Sequence, residues 1–202
     1  MATMAGTGRL DQTALNRLFL DARTHSTWHD TPVDDAMLRE IYELAKLAPT
    51  SVNGQAMRLV FVKSPEAKER LRPSLAATNV TKAMTAPVTV IVAYDRLFID
   101  QLPKLLPHAD ARSWFSTRPP DQIESAALHI GTMQGAYLIL AARALGLDCG
   151  PMGGFDRAKV DAEFFPDGQW KSNFLLNLGY GDPAGLHPRN PRLTFDEACR
   201  IE

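Results

Sequence analysis

Cysteine, net charge and long apolar segments are all scarce in this 202-residue chain. Its two cysteines, Cys149 and Cys199, are too few for a disulfide framework and do not have the C-x-x-C spacing of thiolate metal sites. Such cysteine use is typical of the reducing cytoplasm, where we expect the protein. Lysine and arginine total 22 against 23 aspartate and glutamate, a formal net charge of −1. This balance argues against partners bound through net charge alone, so we expect neither a nucleic-acid nor a membrane partner.

Signals for secretion or membrane insertion are not apparent either. Residues 1–10 lack a basic segment followed by an apolar stretch, so we expect no signal peptide and a flexible tail there. Residues 125–142 contain no Asp, Glu, Lys or Arg, but His129, Thr132 and Gln134 lie within them. That stretch indicates a buried helix of a globular protein rather than a membrane span.

Helix and strand patterns alternate irregularly along the chain, without repeats or linkers. The apolar, β-branched run 87–94 predicts a strand buried on both faces. A long helix is predicted over 124–145, ended by Gly146. Further strands are predicted at 58–63, 147–150 and 173–180, and further helices begin near residues 11, 34, 65 and 156. The sequence therefore predicts one α+β domain over 11–202, a sheet covered by helices.

Three patterns suggest familiar chemistry but are better explained by ordinary structure. Cys149 has no nearby base in sequence and is typical of a buried, inert thiol. The glycines in 179–181 follow a strand, but the third glycine of a dinucleotide motif is misplaced. His25 and His29 have metal-ligand spacing on a helix, but they lie in a predicted loop without a third ligand. We therefore expect no metal site.

Three other segments carry donors suited to an anion and a polar, planar ligand. Residues 23–26 (Arg-Thr-His-Ser) offer a guanidinium and hydroxyls in a row. Residues 49–55 join a helix to a strand with hydroxyl and amide groups, which suit a polyol chain. Arg189 and Arg192 lie in a proline-rich C-terminal segment, where guanidinium forks can bind a phosphate.

Together with two further motifs, these segments resemble the FMN-dependent nitroreductase family, and more narrowly its HadB/RutE branch. The resemblance runs from about residue 15 to residue 198. Its most specific parts are 21–25 (DARTH), 48–53 (APTSVN), 107–115 (PHADARSWF), 150–156 (GPMGGFD) and 189–192 (RNPR).

The resemblance implies a nitroreductase-like fold, with a mainly antiparallel sheet covered by helices, in an intertwined homodimer with FMN at the interface. NADH or NADPH would be the co-substrate. Arg192, with Arg189 beside it, would hold the phosphate, and a cation such as Arg23 would stabilise the reduced flavin. The implied FMN-binding residues are Arg23, Thr24, His25, Pro49, Thr50, Ser51, Asn53, Asn79, Pro151, Met152, Gly153, Gly154, Arg189 and Arg192.

The same resemblance implies hydride transfer through flavin N5 by a ping-pong mechanism, with no certain catalytic side chain. The branch includes malonic semialdehyde reductases of pyrimidine degradation, which form 3-hydroxypropionate. For that acceptor, Arg112 is a candidate carboxylate ligand and His108 a candidate proton donor; alternatively they lie in a surface loop, with Arg112 paired to Asp110. A broad nitroaromatic or quinone reductase and a non-catalytic flavin-binding module remain alternatives. Departures from common family patterns at Ser26, 55–57 and Asn190 weaken a nitroaromatic preference in particular.

Overall fold

The computed structural model describes residues 8–202, so most of the predicted tail 1–10 lies outside the described residues. Within this range the chain forms four strands and eight α-helices. The strands are β1 (Met57–Val62), β2 (Val88–Asp95), β3 (Asp148–Met152) and β4 (Trp170–Gly179). The helices are α1 (Gln12–Leu15, continued by a π-helical turn, Asn16–Leu20), α2 (Asp35–Ala45), α3 (Pro65–Leu71), α4 (Ala77–Thr85), α5 (Leu102–Leu105), α6 (Pro120–Ala144), α7 (Arg157–Phe164) and α8 (Phe195–Ala198).

The four strands form one antiparallel sheet in the order β1-β2-β4-β3. This confirms the predicted α+β class. Every residue of the central strand β2 is buried, as its unbroken apolar sequence predicts. A register shift between Val92 and Ala93 bends the pairing of β2 with β4.

Helices cover both faces of the sheet. On one face, α2 and α6 pack against Val90, Leu176 and other core residues. On the other, α3 and α7 pack against Ile91 and Leu175. Gln134 of α6 is buried, and its side-chain oxygen accepts a hydrogen bond of 2.9 Å from the Met57 amide. This helix therefore anchors the start of β1 through a polar contact inside the core.

The observed elements correct several predicted boundaries. Helix α4 lies where the sequence analysis predicts no helix. Helix α6 begins at Pro120, four residues before the predicted start, because proline is well tolerated in the first turn. Pro103 likewise lies in the first turn of α5. Among the described residues, no helix has the length and apolar character needed to cross a bilayer.

Candidate functional site

Four arginines line one surface cavity of about 440 Å³, beside the C-terminal segment. Their positions are Arg23, Arg143, Arg189 and Arg192. Among residues 8–202, no carboxylate lines this cavity, and each guanidinium carries a positive charge. The cavity, called the arginine cavity below, is therefore strongly electropositive and suited to a dianion such as a phosphate monoester.

Backbone contacts hold the arginine cavity together. Thr24 pairs with Cys149 in an isolated parallel bridge, which attaches the segment after α1 to the edge strand β3. Arg189 donates to the carbonyls of Leu20 and Ala22, at 2.6 and 3.1 Å, and Arg23 donates to the His187 carbonyl. Segments more than 160 residues apart in sequence thus meet at one wall, which brings predicted site residues from both ends of the chain together.

The His25 side chain points away from this cavity. It is buried, its Nε2 lies 3.7 Å from Asp148 Oδ1, and its ring packs so closely on Gly181 that an added Cβ there would lie 2.1 Å from Nδ1. His25 Nδ1 has no hydrogen-bond partner in the described chain. In this structure His25 supports the segment that carries Arg23 and Thr24.

A second group of predicted residues lies where β3 ends. Pro151 and Met152 close the strand, and Gly153 and Gly154 follow it. An added Cβ on Gly153 would meet nothing within 4 Å, so its backbone borders open space. Asn79 Nδ2 donates to the Gly154 carbonyl at 3.0 Å. Asn79 and the turn 153–154 therefore form one unit, and a planar ring can approach the backbone there.

Lys82 is a site residue that the sequence reasoning missed. Its Nζ donates to Asn79 Oδ1 at 3.1 Å, one helical turn further along α4. Its carbonyl accepts from Asn177 Nδ2 and Trp28 Nε1, at 3.1 and 3.2 Å. The ammonium orients the Asn79 amide so that Nδ2 faces Gly154, and it adds positive charge near the turn. The i, i+3 spacing of Asn79 and Lys82 could have indicated that the two side chains meet. This signal applies only if α4 is recognised as a helix.

The predicted residues of the 49–55 loop do not line the arginine cavity. Val52, Asn53 and Gln55 have φ values of 53, 52 and 43°, in the left-handed region that β-branched valine rarely adopts. Asn53 Nδ2 donates to the Leu105 carbonyl at 2.8 Å, which ties the loop to α5. Thr50 Oγ1 is buried and has no hydrogen-bond partner within the described chain. Pro49 and Ser51 are exposed.

The two candidate substrate residues lie in the segment next to this loop. Val52 packs against the same apolar cluster as residues 98–115. His108 and Arg112 are exposed, and Arg112 pairs with Asp100 at 2.8 Å. The predicted alternative pairing of Arg112 with Asp110 is wrong, since Arg112 pairs with Asp100 instead. The Asp110 carboxylate accepts from the Ser113 amide, and its backbone carbonyl accepts from the Ser113 hydroxyl. The 49–55 loop and residues 98–115 therefore form one continuous surface.

The described residues fit a phosphorylated flavin. The arginine cavity matches a phosphate, and strand β3 runs from its bridge at Cys149 to the open backbone at Gly153. Four residues of extended chain span roughly 13 Å. Open space at Gly153 and the unpartnered Thr50 hydroxyl are the features that a flavin and its polyol chain would use. No cluster of three metal-ligating side chains occurs within residues 8–202.

Comparison with known proteins identifies the family. A model described as "Nitroreductase family" matches residues 21–180. A Ralstonia nicotianae protein with a provisional name as an NADH dehydrogenase/NAD(P)H nitroreductase is 59% identical, covering 95% of this chain and 98% of its own length. A Burkholderia lata protein with a name of the same kind is 60% identical, covering 96% and 98%.

A solved structure shows the same fold. A provisionally named nitroreductase of Exiguobacterium sibiricum, crystallised in complex with FMN, superposes with a TM-score of 0.86 at 23% identity. The match covers 97% of this chain and 100% of that chain. The predicted nitroreductase-like fold is thereby confirmed, and the chain belongs to the nitroreductase family.

Proposed function

We propose that this protein is an FMN-dependent NAD(P)H oxidoreductase. The observation that carries the proposal is the arginine cavity, connected along β3 to the Asn79–Gly154 unit. A phosphate site and a ring site that one strand connects indicate a phosphorylated planar cofactor more specifically than either site alone. The names of the relatives and the FMN complex of the Exiguobacterium protein support the same cofactor and co-substrate.

Each group of residues has its own task in this proposal. The phosphate binds in the arginine cavity, which is lined by Arg23, Arg189 and Arg192. We therefore assign Arg23 to the phosphate end rather than to the ring. Bound FMN would supply hydride chemistry at N5, accepting from NAD(P)H and delivering to a second substrate. The turn 153–154 provides backbone close to the ring. Asn79, oriented by Lys82, fixes that turn, and the ammonium favours negative charge nearby.

We further propose that two copies of the chain complete each site. The Thr50 hydroxyl is unpartnered, and the 49–55 loop does not share a cavity with the four arginines. A loop from a second copy is therefore free to approach the flavin. Met133 and Tyr137, one turn apart on α6, expose 50% and 39% of their surfaces and offer an apolar face for association.

The acceptor that we propose is malonic semialdehyde. Arg112 and its partner Asp100 are 60% and 44% exposed, so this ion pair is solvated and its guanidinium is accessible to a substrate carboxylate. His108 lies on the same surface and is the candidate proton donor. Arg112→Ala is expected to raise the KM for the semialdehyde about tenfold, as loss of a charge-assisted contact does. An unchanged KM would remove Arg112 from the site.

A nitroaromatic or quinone acceptor is a second candidate, supported by the nitroreductase names of relatives about three-fifths identical to this chain. Comparison of kcat/KM for the aldehyde and for a nitroarene distinguishes the two. A higher value for the aldehyde supports the first proposal, and a higher value for the nitroarene supports the second.

An absorbance spectrum of the purified protein tests the cofactor and the activity together. We expect flavin bands in the isolated protein or after addition of FMN, and bleaching when NADH or NADPH is added without oxygen. Flavin that stays oxidised with both donors indicates a binding module without turnover. A colourless protein that does not take up FMN contradicts the proposal.

A further inference from the structure

A separate cavity of about 530 Å³ lies between α7 and the start of α6, next to the first residues of β4. It contains none of the residues assigned above to the flavin or to its acceptor. Its volume is within the range of small-molecule sites. One wall is apolar, formed by Leu128, Phe165 and neighbouring alanines, and the other is polar. We call it the β4 cavity.

An unpartnered buried hydroxyl lies in the polar wall. Ser172 is 4% exposed, and its Oγ has no hydrogen-bond partner in the described chain. A buried hydroxyl without a partner is destabilising, so such groups are normally satisfied by protein, water or ligand. Ser172 lines the cavity, and its Oγ is therefore a buried donor and acceptor without a partner beside it.

The carboxylates of the polar wall already have partners. Asp161 accepts from the Ser172 amide at 2.7 Å and lies 3.5 Å from Lys171 Nζ. Glu124 accepts from the Tyr94 hydroxyl and from Arg96 Nε, both at 3.0 Å. Burial and the neighbouring Glu124 raise the pKa of Tyr94 to about 12, so its hydroxyl remains a donor to that carboxylate.

The two cations of the same wall, Arg157 and Lys171, have hydrogen-bond donors that are not used within the described chain. Arg157 donates from Nη2 to the Asn173 carbonyl at 3.0 Å, which leaves Nε and Nη1 for other acceptors. Lys171 has three donors and a single carboxylate at 3.5 Å. Both carboxylates already accept from protein donors, and unused guanidinium and ammonium donors remain for an added acceptor. Because Asp161 and Glu124 lie close by, a monoanion fits better than a phosphate dianion.

We propose that the β4 cavity binds a small carboxylic acid with an apolar body. Its carboxylate lies between Ser172, Lys171 and Arg157, and its body packs against Phe165 and Leu128. The proposal does not depend on the flavin or on the acceptor. It adds a second small-molecule site to the chain. One of its residues, Arg157, lies three residues after the turn 153–154.

The probe is 4-bromobenzoate, with 4-bromobenzamide as its uncharged control, both added to FMN-saturated protein. We expect anomalous bromine density in the β4 cavity of soaked crystals. In solution we expect calorimetric binding of the acid at least tenfold tighter than that of the amide. Bromine found only at the flavin site or nowhere, or equal affinity for acid and amide, contradicts the proposal.

Ser172→Ala and Lys171→Met test the assignment of the donors. Ser172→Ala removes a hydroxyl without a protein partner, so we expect an equal or higher melting temperature without probe and about tenfold weaker binding of the acid. Lys171→Met retains most of the side-chain stem and is expected to weaken binding similarly. Ser125→Ala, an exposed serine on α6, is the matched control and should change neither quantity. Unchanged affinity in both cavity variants overturns the proposal.

Discussion

The arginine cavity and the 49–55 loop are built in opposite ways. The cavity is complete within one chain: Arg23 and Arg189 are fixed by distant carbonyls, and the Thr24–Cys149 bridge attaches its wall to the sheet. The loop has three left-handed residues and a buried hydroxyl without a partner. Strain and unsatisfied groups persist where surrounding structure or a ligand compensates. The difference agrees with the two-chain site that we propose, in which one half is preformed and the other half is completed by a second chain and the cofactor.

The largest expected effect follows from loss of a cavity arginine. Arg192 contacts only carbonyls of its own segment, so Arg192→Ala should leave the fold intact. Loss of a charge-assisted phosphate contact is expected to raise the Kd for FMN about a hundredfold. Fluorescence titration with FMN measures the change. Arg200→Ala, at an exposed arginine of the same C-terminal segment, is the control. If both variants bind like the wild type, the cavity does not hold the phosphate.

A smaller effect is expected at the ring end. The Cβ of Gly154→Ala would lie 2.7 Å from Asn79 Nδ2, so the amide must move away. We expect kcat/KM for NAD(P)H to fall about tenfold while FMN affinity changes less, because the arginine cavity is untouched. If the alanine acts through Asn79, the double variant Gly154→Ala/Asn79→Ala loses no more than Asn79→Ala alone. If the losses in kcat/KM of the two single variants add in the double variant, the alanine does not act through Asn79.

Thr50→Val tests the 49–55 loop separately from the arginine cavity, because its effects on stability and on FMN affinity should have opposite signs. The substitution removes the unpartnered hydroxyl at nearly constant volume, so the flavin-free protein should be at least as stable in urea. FMN affinity is expected to fall about fivefold, as loss of one hydrogen bond does. Thr117→Val, at an exposed threonine, serves as the control. A stability loss with unchanged FMN affinity shows that the hydroxyl has a structural partner instead.

Val52→Gly tests the strain itself. Glycine tolerates a φ of 53°, whereas valine does not, but glycine also costs more chain entropy. Glycine also loses the contacts of Val52 with the apolar cluster of residues 98–115, so we expect the free energy of unfolding to change by less than about 1 kcal/mol. Val60→Gly, in strand β1, should instead destabilise the protein. A Val52→Gly protein destabilised by more than this means that the loop conformation costs little.

The smallest expected effect concerns thiol reactivity with pH. Burial raises the pKa of Cys149 to about 12, so this thiol stays protonated and unreactive at pH 7 to 9, well below that pKa. Exposed Cys199 should be alkylated by iodoacetamide in the native protein, and Cys149 only in denaturant. Mass spectrometry of the two peptides measures this. Rapid native labelling of Cys149 shows that the Thr24–Cys149 bridge opens readily.

Sequence patterns predict the core of this fold well and its polar details poorly. Strand β2 is predictable because an apolar run buried on both faces needs no partner to identify it. The caps Asp34, Ser64 and Asp156 are predictable because each satisfies an amide three residues later, as observed. Helix α4 is not, because its composition favours no element clearly and its ends depend on tertiary contacts.

The candidate site divides in the same way. Arg23, Arg189 and Arg192 are predicted as ligand residues, and the structure places them in one cavity, because Arg23 and Arg189 each donate to carbonyls of the opposite segment. The inward orientation of His25 was not predictable, since it depends on Asp148 and Gly181 from remote segments. Lys82 was not predicted because its partner Asn79 lies one turn away on α4, a helix that the sequence analysis does not predict. The function of a side chain depends on the direction in which it points, and tertiary packing sets that direction.

Complementation between two inactive variants tests the two-chain site most directly. One variant is Arg23→Ala/Arg192→Ala, which lacks the phosphate contacts, and the other is Ser51→Glu, which places a carboxylate where the loop meets the flavin. Each should bind no FMN alone. Because a twofold dimer combines the cavity of one chain with the loop of the other, random mixing gives half mixed dimers, each with one intact site. The account predicts FMN at about one quarter of the sites after co-expression. No recovery of FMN binding would contradict it.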